Sequence, residues 1–258
     1  MSRRDEKLDD EFYVGYAPTM PPRMAARLAR VCAGVAVVVI LGAAVVLLSH
    51  HRLETSRFDY GRPRRVSGVL ERQPYPSLQM DGQRTWLVSP GKAGADALLA
   101  DVPDGPATLQ GSLIARGRQT MLEVVPGSVA SAGGHTVARE PGQPDGREVT
   151  LRGEIVDSKC FLGVMNPGES TVHRDCARLC LRGGIPPMLL VRGRMGEEAL
   201  IVLVTASGQP IGVQLAEIAG QPVQVQGRVA RVGDTLVLFA DRAQYGLIAA
   251  PTPSAIRD

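Results

Sequence analysis

The longest apolar stretch of the chain lies near its N-terminus. Residues 31–49 read VCAGVAVVVILGAAVVLLS and carry no charge over 19 positions. A helix of this length spans the hydrocarbon core of a bilayer, and buried helices of soluble proteins rarely stay uncharged for so long. The stretch is long for the apolar part of a signal peptide, and it lacks a small-residue cleavage site before the polar sequence that follows. The pattern therefore predicts a single, uncleaved transmembrane helix.

Beyond this stretch the pattern changes to short segments in which apolar and polar residues alternate. Such period-2 alternation is typical of half-buried β-strands. Aromatic residues are few (4%), whereas glycines (29) and prolines (19) are many, which favours turns and short strands over long helices. We therefore expect an all-β fold with short helices after the transmembrane helix.

An internal repeat organises these strands. Residues 106–124 (PATLQGSLIARGRQTMLEV) and 222–240 (PVQVQGRVARVGDTLVLFA) share a P-x3-Q-G start, an alternating strand, a glycine turn and another strand. Upstream, each copy has a short helix and an earlier strand, near Gly68 and Gly153. This order resembles the OB-fold, a five-stranded barrel with a helix between its third and fourth strands. We predict two OB-like five-stranded barrels, and a single β-sandwich built from both halves is the alternative.

The spacing of the repeated glycines locates an insertion in the second copy. Gly68 and Gly111 are 43 residues apart, whereas Gly153 and Gly227 are 74 apart, so the second copy has 31 more residues. These residues, about 160–190, hold all three cysteines outside the transmembrane helix.

The repeat and the insertion divide the chain into seven segments. They are a cytoplasmic tail (1–30), the transmembrane helix (31–49), a basic linker (50–65), the first OB-like domain (66–127), a linker (128–148), the second OB-like domain with its Cys/His insertion (149–245) and a C-terminal tail (246–258). Because the first barrel has no cysteine, we expect the cysteines to serve a function added to the scaffold.

The insertion contains four candidate metal ligands with the spacing C-x12-H-x2-C-x3-C. His173, Cys176 and Cys180 lie at i, i+3 and i+7 of a predicted short helix and so share one face. Cys160 follows the first strand of the barrel, and the loop after it returns toward the helix. Three thiolates and one imidazole suit tetrahedral zinc and can also hold copper(I) or iron. Met165 offers a further soft ligand.

Two other interpretations of the same residues stay open. In an oxidising compartment, Cys160 can form a disulfide with Cys176 or Cys180, which leaves one thiol over. A spare thiol beside a histidine can also carry thiol redox chemistry. Asp157 and Lys159 flank Cys160 and either orient a ligand or face water.

The segment GEIVDSKCFLGVMNPG…HRDCARLCLRGGIPPMLLV resembles a segment of poorly characterised bacterial exported or membrane-anchored proteins. Those proteins carry V-D-x-x-C, then H-x-x-C-A-x-x-C, then G-G-I-P or G-N-P. The resemblance covers about residues 150–205. It implies a membrane-anchored or periplasmic β-domain with a Cys/His cluster, and it carries no established activity.

Net charge and aromatic content bear on the expected partners. The formal net charge is +3 and the isoelectric point is about 8.8. This excess of base suits an anionic membrane surface but is small for a nucleic-acid binder, and aromatic stacking platforms are scarce. We therefore expect the membrane and other membrane-complex subunits as partners, and no nucleic acid.

The flanking charges leave the orientation of the helix undetermined, because arginines lie on both sides of it. Large C-terminal domains are exported largely regardless of charge, so we expect a bacterial inner-membrane protein with a periplasmic C-terminal domain. No Ser/His/Asp set or phosphate-binding glycine loop stands out. We expect a non-enzymatic accessory protein, a subunit or assembly factor of a membrane redox system. A periplasmic thiol oxidoreductase and a structural interaction module with a disulfide-stapled loop are the alternatives.

Overall fold

A computed structural model describes residues 20–50, 56–133, 146–193 and 197–248. The outer parts of the predicted tails, and parts of both predicted linkers, lie outside these residues. The chain divides into two compact units, Met1–Glu54 and Thr55–Asp258. Among the described residues, the first contains one long helix and the second contains all the strands.

Helix α1 spans Pro22–His50. Its segment Pro22–Leu48 is long and apolar enough to cross a membrane. The helix begins nine residues before the predicted start because residues 22–30 (PRMAARLAR) are mostly good helix formers, and proline is tolerated in a first turn. In the part of the chain that the structure describes, one helix, near the N-terminus, therefore has the length and composition of a membrane span.

The first half of the second unit forms a closed barrel. Its elements are β1 (Ser56–Phe58), β2 (Arg64–Glu71), β3 (Ser77–Met80), β4 (Gln83–Val88), a 3-10 turn (Asp96–Leu99), β5 (Gly105–Arg116), β6 (Gln119–Val124) and β7 (Ala130–Ser131). Strands β2, β3 and β4 pair antiparallel in that order, β4 pairs parallel with β6, and β6 pairs antiparallel with β5. Strand β5 then pairs with β2 and closes the ring.

The second half repeats this ring. Its elements are β8 (Arg147–Asp157), α2 (Arg174–Arg182), β9 (Pro187–Arg192), β10 (Glu198–Val204), α3 (Gly212–Leu215), β11 (Pro222–Val232), β12 (Thr235–Phe239) and β13 (Tyr245–Leu247). Strands β8, β9 and β10 pair antiparallel, β10 pairs parallel with β12, and β11 joins β12 to β8.

Both rings have the strand order 1-2-3-5-4, with a helical turn between the third and fourth strands, which is the arrangement of the OB-fold. The predicted fold class is therefore confirmed: the chain is all-β with short helices, one N-terminal apolar helix and two OB-like five-stranded barrels. The single-sandwich alternative is wrong, because each half closes its own ring. Three short strands, β1, β7 and β13, pair with the barrels without being part of either ring.

The repeated glycines lie where neighbouring strands approach closely. A β-carbon at Gly68 would stand 2.5 Å from the carbonyl oxygen of Gln79, and one at Gly153 would clash with the carbonyl of Leu190 in the same way. Only glycine lets the backbones come this close. The repeat is thus a packing requirement shared by the two barrels.

The barrels pack against each other through a shared apolar core. Trp86 and Tyr75 of the first barrel belong to the same buried cluster as Phe161 and Phe239 of the second. The Tyr75 hydroxyl donates a hydrogen bond to the Leu203 carbonyl (2.8 Å) across this interface. Burial of these large side chains holds the two barrels together.

Candidate metal centre

The cysteines lie on the connection between the first two strands of the second barrel. Between β8 and β9 this connection is residues 158–186, whereas between β2 and β3 it is residues 72–76. Binding loops of OB barrels commonly include this connection. The longer version folds into a π-helical turn, Cys160–Val164, a 3-10 turn, Thr171–His173, and helix α2.

Helix α2 presents its cysteines to the barrel. Cys180 is buried, and Cys176, one turn earlier, is half-buried. The helix ends at Arg182, and Gly184 turns the chain back with a φ of +91°, which glycine adopts at little cost. Cys160 follows β8 directly and is 4% exposed.

The structure brings the three thiols together. The Sγ atoms of Cys160, Cys176 and Cys180 all lie within 4.8 Å of one another. Cys160 and Cys176 are 3.9 Å apart, and all three cysteines, like Cys32 in α1, are free thiols. This is a spacing from which three sulfurs can bind one ion.

His173 lies beside Cys160 but is grouped with Asp157 rather than with the other two thiols. One ligand atom each from Asp157, Cys160 and His173 lie within 4.8 Å of one another. His173 belongs to the 3-10 turn before α2, where each residue turns further than in an α-helix. It directly precedes Arg174, the first residue of α2, and it is not grouped with Cys176 and Cys180, whereas Cys160 is common to both groups.

Asp157 orients its neighbours and does not face water. Its carboxylate is fully buried, its Oδ2 lies 3.0 Å from His173 Nε2, and its Oδ1 accepts a hydrogen bond from the Cys160 N–H (2.9 Å). Carboxylates that hold one ring nitrogen of a histidine commonly orient the ring for a metal. Met165, by contrast, is 47% exposed.

A loop of the first barrel, residues 89–94, covers the thiols. The Lys92 ammonium donates a hydrogen bond to Cys176 Sγ (2.6 Å), and the Gly94 N–H donates one to the Gly183 carbonyl (2.8 Å). Lys159, next to Cys160, reaches back to this loop from the other side. Sequence reasoning missed Lys92 because it comes 84 residues before Cys176.

The thiols are electrostatically unequal. The pKa of the Cys180 thiol is lowered, chiefly because its sulfur accepts a hydrogen bond from Cys160, with a further contribution from Lys92. The same hydrogen bond raises the pKa of Cys160, and burial and the Asp157 carboxylate raise it further. The first thiolate of the pair therefore forms on Cys180, and Cys160 stays protonated until a cation displaces its proton.

Gly183→Ala is expected to destabilise the contact between loop 89–94 and α2. A β-carbon at Gly183 would overlap the Lys92 carbonyl oxygen, which is backbone and cannot turn aside. We expect the free energy of unfolding to fall by about 1–3 kcal/mol. Thermal unfolding of the full chain in detergent measures this. Gly246→Ala is the control, because a β-carbon there meets nothing within 4 Å, and equal midpoints for the two variants would contradict the prediction.

No family model matches the chain, and no curated protein matches it. Among solved structures, a deletion mutant of the single-stranded DNA binding protein from Thermus aquaticus matches with 10% sequence identity and a TM-score of 0.23. The match covers 78% of this chain and 91% of that chain. A likeness this low assigns neither a ligand nor an activity to the present chain.

The OB-like fold corrects one prediction. The expectation of no nucleic-acid partner depended on the small net charge and the few aromatic residues. Both halves of the strand-bearing unit are OB-like barrels, and OB barrels are a scaffold on which single-stranded nucleic acid binds at low net charge as well as high. The exclusion of nucleic acid is therefore wrong.

Proposed function

We propose that this chain is a membrane-anchored accessory protein that holds a soft metal ion on Cys160, Cys176 and Cys180. The observation that carries the proposal is the convergence of three thiols, all within 4.8 Å of one another, on an insertion that the other barrel lacks. Thiolates prefer zinc, copper(I) and iron among biological metals.

His173 is the fourth residue that we assign to this site. Its Nε2 is held by Asp157, and a histidine held in this way presents its other ring nitrogen to a metal. The bound ion would supply a positive charge that stabilises three thiolates in a buried setting, and the residues themselves hold and orient it. Structural zinc sites have four protein ligands, which these four residues would supply, and thiolates also select copper(I).

The role that best fits such a centre is that of a subunit or assembly factor of a membrane redox system. Helix α1 supports the anchoring, because it has the length and composition of one membrane span. The soft donor set supports the link to redox metals. We place the barrels in the periplasm of a bacterial inner membrane.

Elemental analysis of the purified full chain tests the metal proposal. The chain, in detergent micelles, is reduced, loaded with Zn(II) or with Cu(I), freed of excess metal and analysed. We expect about one tightly bound ion per chain. Cys32→Ser is the matched control, since Cys32 lies in α1 and is exposed there, and it should bind as much metal as the parent. A chain that retains neither metal refutes the proposal.

The orientation has its own test. A periplasm-dependent reporter fused to the C-terminus is expected to be active, and the same fusion to a cytoplasm-dependent reporter inactive, because large C-terminal domains are exported largely regardless of flanking charge. The reverse pattern would contradict the periplasmic placement without affecting the metal proposal.

A second candidate function is thiol–disulfide exchange, which the 3.9 Å separation of Cys160 and Cys176 favours. The two thiols would lose two protons and together pass two electrons to a partner disulfide, which leaves as two thiols. Mass spectrometry of the metal-free chain after exposure to oxidised glutathione distinguishes the candidates. A Cys160–Cys176 disulfide in this chain, together with no retained metal in the loading experiment, supports this second function.

A further inference from the structure

We propose that Lys92, a residue of the first barrel, is a positioning residue of the metal centre on the second. Its ammonium donates an N–H···S hydrogen bond to Cys176 while the metal is bound and so weakens the donor strength of that sulfur. This inference rests on the proposed metal site and adds to it a residue from outside the insertion.

The contact is direct and falls on the most accessible thiol. Lys92 Nζ lies 2.6 Å from Cys176 Sγ. Cys176 is half-buried, whereas Cys160 and Cys180 are 4% and 1% exposed. Lys92 therefore contacts the sulfur that solvent and other ligands reach first.

The loop that carries Lys92 is hydrogen-bonded to the insertion both before and after Lys92. The Gly94 N–H donates to the Gly183 carbonyl (2.8 Å), just after α2 ends. The carbonyls of Ser89 and Gly91 accept hydrogen bonds from Lys159, the residue before Cys160. Lys92 is thus held between two segments that each carry a thiol.

The barrel fold does not require a lysine at this position. The equivalent loop of the second barrel begins with the same backbone hydrogen bond, from Thr205 to Gln209, as the first has from Ser89 to Ala93. Counting along both loops places Gly208 opposite Lys92. A loop of the same length thus forms without a lysine, although its positive φ falls on Gly208, whereas in the first loop it falls on Gly91.

An N–H···S hydrogen bond has a known effect on a metal-bound thiolate. It withdraws electron density from the sulfur, which raises the energy of sulfur-to-metal charge transfer, and around redox metals it raises the reduction potential. A cation here also offsets part of the negative charge of three buried thiolates. The first barrel would in this way tune the ion that the second barrel holds.

The test uses Co(II) as a spectroscopic probe in the full chain, in detergent micelles. Lys92→Met removes the donor, so the sulfur-to-cobalt charge-transfer band is expected to move to lower energy. Lys92→Arg restores a charged N–H donor and should return the band most of the way. Arg178→Met is the control: it removes one positive charge from the helix of Cys176, but Arg178 contacts Glu217 and Asp175, so the band should stay in place.

The outcomes distinguish a failure of the role proposed for Lys92 from a failure of the proposed metal site. A parent chain that binds no Co(II), Zn(II) or Cu(I) refutes the proposed function. A parent chain that binds Co(II), with the same band position in Lys92→Met and Lys92→Arg, refutes the role of Lys92 alone. Should Lys92→Met fail to fold, Lys92→Gln replaces it, and a band in Lys92→Gln at lower energy than in Lys92→Arg supports the role, whereas equal bands oppose it.

Discussion

Cys180→Ser is expected to remove nearly all tightly bound metal from the chain. Cys180 is the most buried of the three thiols, and its pKa is lowered by the hydrogen bond from Cys160, so it is the thiolate that forms first. A serine hydroxyl stays protonated and is a poor ligand for a soft ion. We expect the metal content to fall from about one ion per chain to about a tenth of that or less.

The same measurement ranks the other members of the site. His173→Ala is expected to keep part of the metal, because three thiolates remain as ligands, but to weaken its binding about 10–100-fold. This milder effect follows from the position of His173, which lies with Asp157 and Cys160 and apart from the other two thiols. A competition titration with a chelator measures both variants.

Two results would contradict this ranking. Full metal content in Cys180→Ser would show that the three thiols are not the ligands. If His173→Ala lost as much metal as Cys180→Ser, the imidazole would be a ligand equal to the thiolates. Cys32→Ser again serves as the cysteine control, because it removes a thiol that lies in α1.

The barrels could be predicted from the sequence because the features that produce them are either local patterns or features repeated in both halves. Alternating apolar residues define strands, and the close approach of backbones at Gly68 and Gly153 fixes glycine at matching places in both copies. The strands β1 and β13 escaped prediction because three residues are too few to show a period. The early start of α1 escaped it because apolar character, rather than helix propensity, defined the predicted segment.

The site was predictable only where its residues are close in sequence. Cys176 and Cys180 share a helix face, so spacing alone brought them together. Two parts of the site depend on geometry that spacing does not show. His173 is grouped with Asp157 and Cys160 rather than with the other two thiols, and Lys92 comes from a loop of the other barrel.

Lys159 is expected to be the residue whose loss most destabilises the folded chain. Its side chain is 2% exposed, yet it carries a charge. The ammonium is satisfied by Glu123 Oε2 (2.6 Å) and by the carbonyls of Ser89 (2.8 Å) and Gly91 (2.7 Å), all on the first barrel. Because Lys159 directly precedes Cys160, its side chain links the thiol insertion to the loop that covers the thiols.

Lys159→Met keeps most of the length of the side chain and removes the charge. The Glu123 carboxylate is then left largely buried without its cation, and the buried Ser89 carbonyl and the partly buried Gly91 carbonyl lose their donor. Breaking a buried ion pair by removing one partner costs about 3–5 kcal/mol. In a chain of this size, such a loss lowers the unfolding midpoint by about 10 °C.

The double variant Lys159→Met/Glu123→Leu decides whether the ion pair is the cause. Removing both charges leaves no unpaired buried ion, so about 1 kcal/mol or more of the loss should return. Recovery should be incomplete, because the Ser89 and Gly91 carbonyls still lack a donor. Arg182→Met, which opens an exposed ion pair with Glu217, should hardly move the midpoint. A midpoint in Lys159→Met equal to that of Arg182→Met would show that the buried ammonium does not hold the barrels to the thiol insertion.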